Sequence, residues 1–492
     1  MGMKAKVSSL LNKYKNLSLP VKASIAFVLC SFFQRGISTV TTPIFTRLLT
    51  TAEFGYYNIF NSWLEIVGVF STLKLSGSVF TQALVKFDNR RDELTASTAG
   101  LGTVVTVIVT GIYLLFRGFF NNLMDTTTMI MICIFLASWS TLMFELWAVQ
   151  LRVQYKYVPL VALTVISSIL KPVAGIFAIL CTDHYKAEAR IISLVAVEIV
   201  VYSWLFILFM KRGRTFFNKN LWKYSLSLNI PLIPHYLTRV ILNQSDRLMI
   251  KSMDSYDAAG IYGLAHSLAW LLTLITSSLM NTLNPWFFQK IRENNTKRLG
   301  PLSYAVIALV GVCGLAVTAV SPEIVRFFAP KDYYEAIWLI PPLVASVFFM
   351  FIYNIFAVFE YYYEKSSFLM IASTVGGVLN IVLNYFFIKK FGYMAAGYTT
   401  LGCYIFYAVA HYICMKIIIR KQMNNVKIFN LTILVGLAIL YMVLSGGLMV
   451  TYNYWYIRYA IIVIGLLVVF LNRKRAVSIL KEIRNKSEKT KT

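Results

Sequence analysis

The feature that most constrains this chain is its succession of long apolar runs. Punctuated by charges and turn residues, they fall at 23–42, 57–80, 97–117, 126–149, 157–180, 189–210, 225–250, 258–283, 301–320, 336–359, 366–388, 393–418, 428–448 and 454–472. Each approaches the roughly 20 residues a helix needs to cross the hydrocarbon layer. About 14 such runs use about 280 residues, roughly 57% of the chain. That agrees with a hydrophobic content of 58%. The chain is therefore expected to be an all-α integral membrane protein with about 14 transmembrane helices. What remains supplies loops and tails, not a sizeable soluble domain. A charged fraction of 14%, against about 25% in soluble chains, excludes an ordinary soluble enzyme. The apolar excess excludes a disordered chain.

The formal net charge of +26 first suggests nucleic acid. A mean hydropathy of +0.66 argues against it, because such a binder needs a polar surface, so no nucleic-acid partner is expected. The 47 basic residues instead set orientation. With a cytoplasmic N-terminus and alternating sides, cytoplasmic segments hold roughly 32 of them, external segments roughly 10 and the spans about five. The basic tail with Lys4, Lys6, Lys13, Lys15 and Lys22, the loop with Lys211, Arg212, Arg214, Lys219 and Lys223, and the tail from Arg473 to Lys491 all fall on one side. Both termini are thus expected in the cytoplasm. The first run extends about 20 residues without an A-x-A-like site, so it reads as an uncleaved span. Cys30, Cys133, Cys181, Cys313, Cys403 and Cys414 lie in or beside apolar runs and form no C-x-x-C pair. They read as small buried hydrophobes, with no disulfide framework and no metal site.

A weak internal repeat is visible. Arg47 and Leu48, followed by Phe54, Gly55, Tyr56 and Tyr57, correspond to Arg247 and Leu248, followed by Ala259, Gly260, Ile261 and Tyr262. Six spans per half is even, so both halves take the same orientation. That implies a pseudo-two-fold axis along the membrane normal and a central cavity. The expected organisation is a basic tail at 1–22, a six-helix bundle at 23–210, a basic linker at 211–224, a second six-helix bundle at 225–418, two extra helices within 428–472 and a basic tail at 473–492.

The stretch from Thr46 to Tyr57 resembles the R-x-L-x-x-x-x-(F/Y)-G-x-Y element of bacterial polysaccharide flippases. So does Asp246 to Ile250 with Ala259 to Tyr262. So does Asn380 to Ile388, with Asn384 inside it, followed by Phe391, Gly392, Tyr393, Ala395, Ala396 and Gly397. By order, spacing and span count the resemblance covers nearly the whole chain. The family is the polysaccharide branch of the multidrug/oligosaccharidyl-lipid/polysaccharide exporter superfamily. The resemblance implies two bundles around a V-shaped cavity. It implies as substrate an oligosaccharide on undecaprenyl diphosphate, moved from the cytoplasmic to the outer leaflet for O-antigen, capsule or exopolysaccharide assembly. A polysaccharide polymerase and chain-length machinery are then expected partners beside the bilayer. No cofactor is expected, and the coupling ion would be H+ or Na+.

A diphosphate and a string of hydroxyls cannot cross hydrocarbon bare. A hydrated cavity lined by cations solves the problem, which directs attention to intramembrane Arg and Lys. Arg35 lies with Ser31, Ser38 and Thr42 on one face of the first span. Lys74 is expected on the second span with Ser71 and Ser78. Lys171 lies with Thr164, Ser167 and Ser168, before Pro172, which is expected to break the helix. His235, Arg239 and Asn243 recur every four residues as one stripe, and Asp246 and Arg247 follow. Arg35 and Arg239 fall in equivalent spans and are expected to face a shared cavity. Arg47 and Arg247 sit at span ends, where a structural turn competes with substrate contact. For every cation the plainer reading is snorkelling or an internal ion pair. Glu65, Glu145, Glu198 and Asp246 are the intramembrane carboxylates. Glu65 and Glu145 are coupling candidates, and Asp246 is expected to neutralise Arg247. His235 reads equally as a packed histidine. Tyr361 to Tyr363 and Tyr452 to Tyr456 read first as an interfacial belt and second as sugar-stacking rings.

Two other functions compete. A drug/cation antiporter of the same superfamily needs a carboxylate-lined cavity, and the cations of the early spans argue against it. A membrane polysaccharide polymerase needs a large external loop, whereas the longest external segment is about 15 residues. No G-x-x-x-x-G-K-[ST] loop exists, so ATP is not hydrolysed by this chain.

Overall fold

The structure, a computed structural model, describes residues 18–423 and 426–471. The expected basic tails therefore lie largely outside the described residues. Among the described residues the regular elements are α-helices joined by short 3-10 turns, with no strand. Ten stretches of helix are long and apolar enough, by length and composition, to cross a membrane. The chain is an all-α integral membrane protein. It divides into two compact units, Met1–Leu248 and Met249–Thr492.

The first unit contains α1 (Leu19–Leu48), α2 (Thr51–Thr72), α3 (Ser78–Lys86), α4 (Arg91–Leu115), α5 (Arg117–Met124), α6 (Thr128–Val153), α7 (Tyr157–Leu180), α8 (Lys186–Gly213), α9 (Lys219–Asn229) and most of α10 (Ile233–Met253). Helices α6 and α8 are its axis, with α2 and α4 packed around them and α1 against α7. Leu84, Leu94, Met143, Leu146 and Leu205 form one buried cluster. Polar side chains tie the helices where apolar contact alone discriminates little. Thr106 Oγ1 donates to the Ser71 carbonyl at 2.9 Å, and Trp139 Nε1 to Thr103 Oγ1 at 2.9 Å.

The second unit contains α11 (Tyr256–Ala269), α12 (Leu272–Arg292), α13 (Leu299–Ala319), α14 (Ser321–Phe328), α15 (Ala336–Tyr362), α16 (Ser366–Phe391), α17 (Ala395–Gln422), α18 (Leu431–Val450) and α19 (Trp455–Leu471). Helix α15 is its axis; α11, α12, α13, α17 and α18 pack on it. A run apolar on every side is what a helix surrounded by other helices requires, and α15 is buried along most of its length.

Four of the fourteen expected spans, 57–80, 225–250, 366–388 and 454–472, fall on α2, α10, α16 and α19, which are outside the ten. In α10 the cause is plain: Arg239, Asp246, Arg247 and Lys251 share 21 residues. Two spans expected as continuous are broken. The segment 57–80 stops at Thr72 and resumes as α3, and 225–250 is interrupted by the 3-10 turn Ile230–Leu232. Pro172, expected to break its helix, lies inside a continuous α7.

The three elements that carry the family resemblance are all helix–turn–helix junctions. After α1, Thr50 accepts from the Glu53 backbone N–H at 3.2 Å, and Glu53 Oε2 accepts from the Thr50 N–H at 2.8 Å. This reciprocal capping box starts α2. After α10, Ser255 Oγ caps α11 by accepting from Ala258 N at 3.1 Å. After α16, Gly392 takes φ +72, a conformation open to glycine at little cost. There Tyr393 N donates to Asp254 Oδ2 at 3.4 Å, and the Tyr393 hydroxyl donates to Glu335. Burial, then the Glu335 carboxylate, pushes the Tyr393 phenol well above its ordinary range, so this hydroxyl remains a donor.

Candidate functional site

The expected cationic and polar residues all lie in the first unit. Arg35 stands near the middle of the thirty-residue α1 and is exposed. Ser31 Oγ donates to the Phe27 carbonyl at 2.9 Å, Thr39 Oγ1 to Arg35 O at 2.8 Å and Thr42 Oγ1 to Ser38 O at 2.8 Å. Each hydroxyl proton is thus spent inside the helix, and the oxygens keep accepting capacity on the surface. A guanidinium on a membrane-crossing helix costs several kcal/mol in hydrocarbon.

Helix α10 has the same character. His235, Arg239 and Asn243 are exposed, one turn apart, and Asn243 Nδ2 donates to Arg239 O at 3.0 Å. The opposite flank is buried. Gln244 Oε1 accepts from Ser62 Oγ of α2 at 2.9 Å and from Arg247 Nη1 at 3.1 Å. Asp246 beside them is 5% exposed. Helix α10 thus presents a polar stripe outward and is tied to α2 by a polar flank.

The other expected residues separate from this pair of faces. Lys74 is not on a helical face with Ser71 and Ser78, because α2 has already ended. Leu73 and Lys74 both take left-handed backbone, φ 48 and 47, and form the turn into α3. That turn fixes Glu145, which accepts from Ser76 Oγ, and Tyr236, whose hydroxyl stands 3.0 Å from where a Cβ on Gly77 would be. Lys171 is bound within the bundle: Nζ lies 2.5 Å from Glu198 Oε1 and 5.3 Å from the Tyr202 ring. Its charge is met by protein and is not held open for a ligand. Arg47 Nη1 donates to Pro43 O at 2.8 Å in the last turn of its own helix, where a cation suits the helix dipole. Glu65 is exposed on α2. Cys181, expected buried, is exposed at the end of α7, because the helix stops at Leu180 and leaves it in a polar loop.

Sequence reasoning missed three features. Arg190 of α8 is 9% exposed, with its guanidinium carbon 3.6 Å from the Phe45 ring and 3.5 Å from the Tyr57 ring. The aromatic positions flanking the first family element therefore sandwich a cation. Asn384 Oδ1 accepts from Thr399 Oγ1, and Asn384 Nδ2 donates to Asn380 at 3.3 Å, tying α16 to α17. In the second unit Glu360 and His411 meet at 2.7 Å with both side chains 1% exposed. The same unit holds a cavity of about 240 Å³, lined by Ser277, Asn281, Asn284, Asn354 and Tyr361. No run of these residues marks them in sequence; only the carboxylate of Glu360, the one acid in α15, was a visible signal.

Ten helices long and apolar enough to cross a membrane define a class, a multi-pass membrane protein, and in this one α1 and α10 carry cations and amides on exposed faces. The model of the polysaccharide biosynthesis protein family matches residues 21–291, and the MatE model matches residues 231–386. The chain belongs to the polysaccharide biosynthesis protein family, the flippase branch of the multidrug/oligosaccharidyl-lipid/polysaccharide exporter superfamily. In Haemophilus influenzae (strain ATCC 51907 / DSM 11121 / KW20 / Rd), Lsg locus putative protein 1 is 19% identical over 377 residues, 73% of this chain and 89% of that protein. An uncharacterized membrane protein of the same organism is 21% identical over 371 residues, 72% and 88% of the two chains. Among solved structures, the lipid II flippase MurJ in an inward closed conformation aligns with a TM-score of 0.69 and 14% identity, over 92% of this chain and 100% of that one. An inward-facing multidrug resistance MATE family transporter aligns with a TM-score of 0.60 and 10% identity, over 79% and 96%. At these identities the likeness establishes the fold.

Proposed function

We propose that the protein flips an oligosaccharide linked to undecaprenyl diphosphate from the cytoplasmic to the outer leaflet of a bacterial inner membrane, by alternating access. The observation that carries this reading is the pair of exposed polar faces on α1 and α10, with Arg35 and Arg239 at their centres. Guanidinium groups on exposed faces suit the oxygens of an anionic diphosphate, and sugar hydroxyls suit the Ser, Thr and Asn around them. The family assignment and the flippase named among the structural neighbours support it. No covalent step is part of this reading. A polymerase and chain-length proteins are its natural downstream partners. Cytoplasmic termini follow from the distribution of basic residues.

The test is delivery of the lipid-linked glycan to the outer leaflet in a deletion strain carrying variants. Arg35→Ala and Arg239→Ala are each expected to lower transport about tenfold, roughly 1.4 kcal/mol, at normal membrane abundance. Lys at either position is expected to restore part of it. Normal transport by both Ala variants would sink the cationic-surface reading. The MatE match over residues 231–386 favours a second reading, an ion-coupled drug/cation antiporter. Under that reading the deletion strain retains its surface glycan and loses resistance to a cationic dye.

A further inference from the structure

Glu360 is the one acid on α15, and Glu364 follows in the turn just past the helix end. Helices α12, α13, α15, α16, α17, α18 and α19 contain no other Asp or Glu. The same helices contain one histidine, His411 on α17. The fold brings this acid and this histidine together, with His411 Nδ1 2.7 Å from Glu360 Oε1. The second carboxylate oxygen, Glu360 Oε2, is buried and has no hydrogen-bond partner among the described residues. The imidazole lies beside two tyrosine rings, Tyr353 at 5.1 Å and 24° and Tyr407 at 6.2 Å and 28°. Ring faces of this kind accommodate a cation.

We infer that Glu360 and His411 form a proton-binding site inside the second unit, the point at which this transporter takes up and releases a coupling proton. In the proton-free state the imidazole Nδ1–H donates to Glu360 Oε1, and the pair carries one negative charge. A proton arriving at Nε2 makes imidazolium and carboxylate, with no net charge. One proton therefore changes the charge on the contact between α15 and α17 by one unit. That is the largest local electrostatic change one proton can make in a low-dielectric core. Histidine is the side chain whose ordinary titration falls in the physiological range. A buried ionisable pair in a membrane-spanning segment is costly, and ion pathways are built from such pairs.

The other titratable groups facing the pair are few. Helix α15 contributes Tyr353, with Glu364 and Lys365 in the turn past its end, and α17 contributes Tyr404, Tyr407, Tyr412, Lys416 and Cys414, the last within electrostatic reach of Glu360. From α11, His266 stacks on Trp270 at 4.4 Å, and Trp270 meets Tyr404 at 6.4 Å. Beyond these, α11 carries Asp257 at its first turn and α14 carries Glu323 and Arg326. Helix α12 has Lys290 and Arg292 in its last turn, α13 has Tyr304 and Cys313, α16 has Tyr385, Lys389 and Lys390, and α18 has Tyr441. Among the described residues no second carboxylate is hydrogen-bonded to the pair.

The proton binding is independent of which substrate is carried, and only the coupling rests on the transport reading. The experiment is an infrared pH titration of the purified full-length protein in lipid nanodiscs, with the proton as the probe. A buried imidazole–carboxylate transition is expected in the wild-type spectra. It should vanish in Glu360→Gln and in His411→Gln and return, shifted, in Glu360→Asp. Transport by the deletion strain carrying these variants is then measured at two external pH values. The wild type is expected to respond to pH by severalfold and the Gln variants not at all. Unchanged spectra in both Gln variants, or an unchanged pH response of transport, would overturn the site. A folded Glu360→Gln protein with normal Arg35-dependent transport and no titration change would assign the pair to helix packing. That result would leave the flippase reading intact.

Discussion

At the residue scale, the cations of the first unit divide by what answers their charge. Lys171 is answered by Glu198, a carboxylate 7% exposed. Truncating it strands a buried acid, and the penalty for an unpaired buried charge exceeds the worth of the pair itself. Lys171→Ala is expected to destabilise the protein by about 1–3 kcal/mol. Lys171→Met with Glu198→Gln is expected to recover most of that, measured as thermal unfolding in detergent. Arg190 is answered by ring faces. A planar guanidinium stacks where an ammonium does not, so Arg190→Lys is expected to lose about 1–2 kcal/mol in the same assay. Full stability of Arg190→Lys would reduce the sandwich to a packing coincidence. Arg35 and Arg239 stand on exposed helix faces, within reach of a ligand.

At the element scale, close helix approaches make some glycines irreplaceable and leave others free. A Cβ on Gly213 would stand 2.2 Å from Asp92 O and 2.5 Å from Ala96 Cβ, where α8 ends against α4. A Cβ on Gly100 would stand 2.2 Å from Phe216 O, in the loop leading to α9. Gly111, also in α4, has nothing within 4 Å. Gly213→Ala and Gly100→Ala are expected to cost about 1–3 kcal/mol each, because backbone cannot move aside. Gly111→Ala is expected to gain up to about 1 kcal/mol from helix propensity. Equal melting temperatures for the three variants would contradict the packing described. The same scale explains which element boundaries were legible. The capping box of Thr50 and Glu53 is written in adjacent residues, and so is visible before folding. The stop at Thr72 was hidden, because Leu73 and Lys74 are in left-handed backbone that no residue type there announces. Lys74 was consequently placed on a helical face it does not occupy.

At the scale of the whole molecule, the proposed orientation has a native reporter. Cys181 is the exposed member of the six cysteines, and it follows the fifth expected span, on the external side. A membrane-impermeant maleimide added to intact cells is expected to label it, and Cys181→Ser is expected to abolish that labelling. Labelling only after the cells are broken would invert the orientation. The sequence by itself determined the helical membrane class and the family, since both rest on signals that survive in one dimension. Apolar runs must be about as long as the bilayer is thick, and the family elements are short stretches at helix junctions. It also placed Arg35 and the α10 stripe on helix faces, because a helical period of nearly four is readable without neighbours. Only the tertiary structure decided which charges are already answered. Glu198 lies 27 residues from Lys171 and Glu360 lies 51 from His411. Whether such groups meet depends on how the helices carrying them pack. That packing is set by small residues, close approaches and ring stacking spread over several helices, and no local pattern encodes their sum.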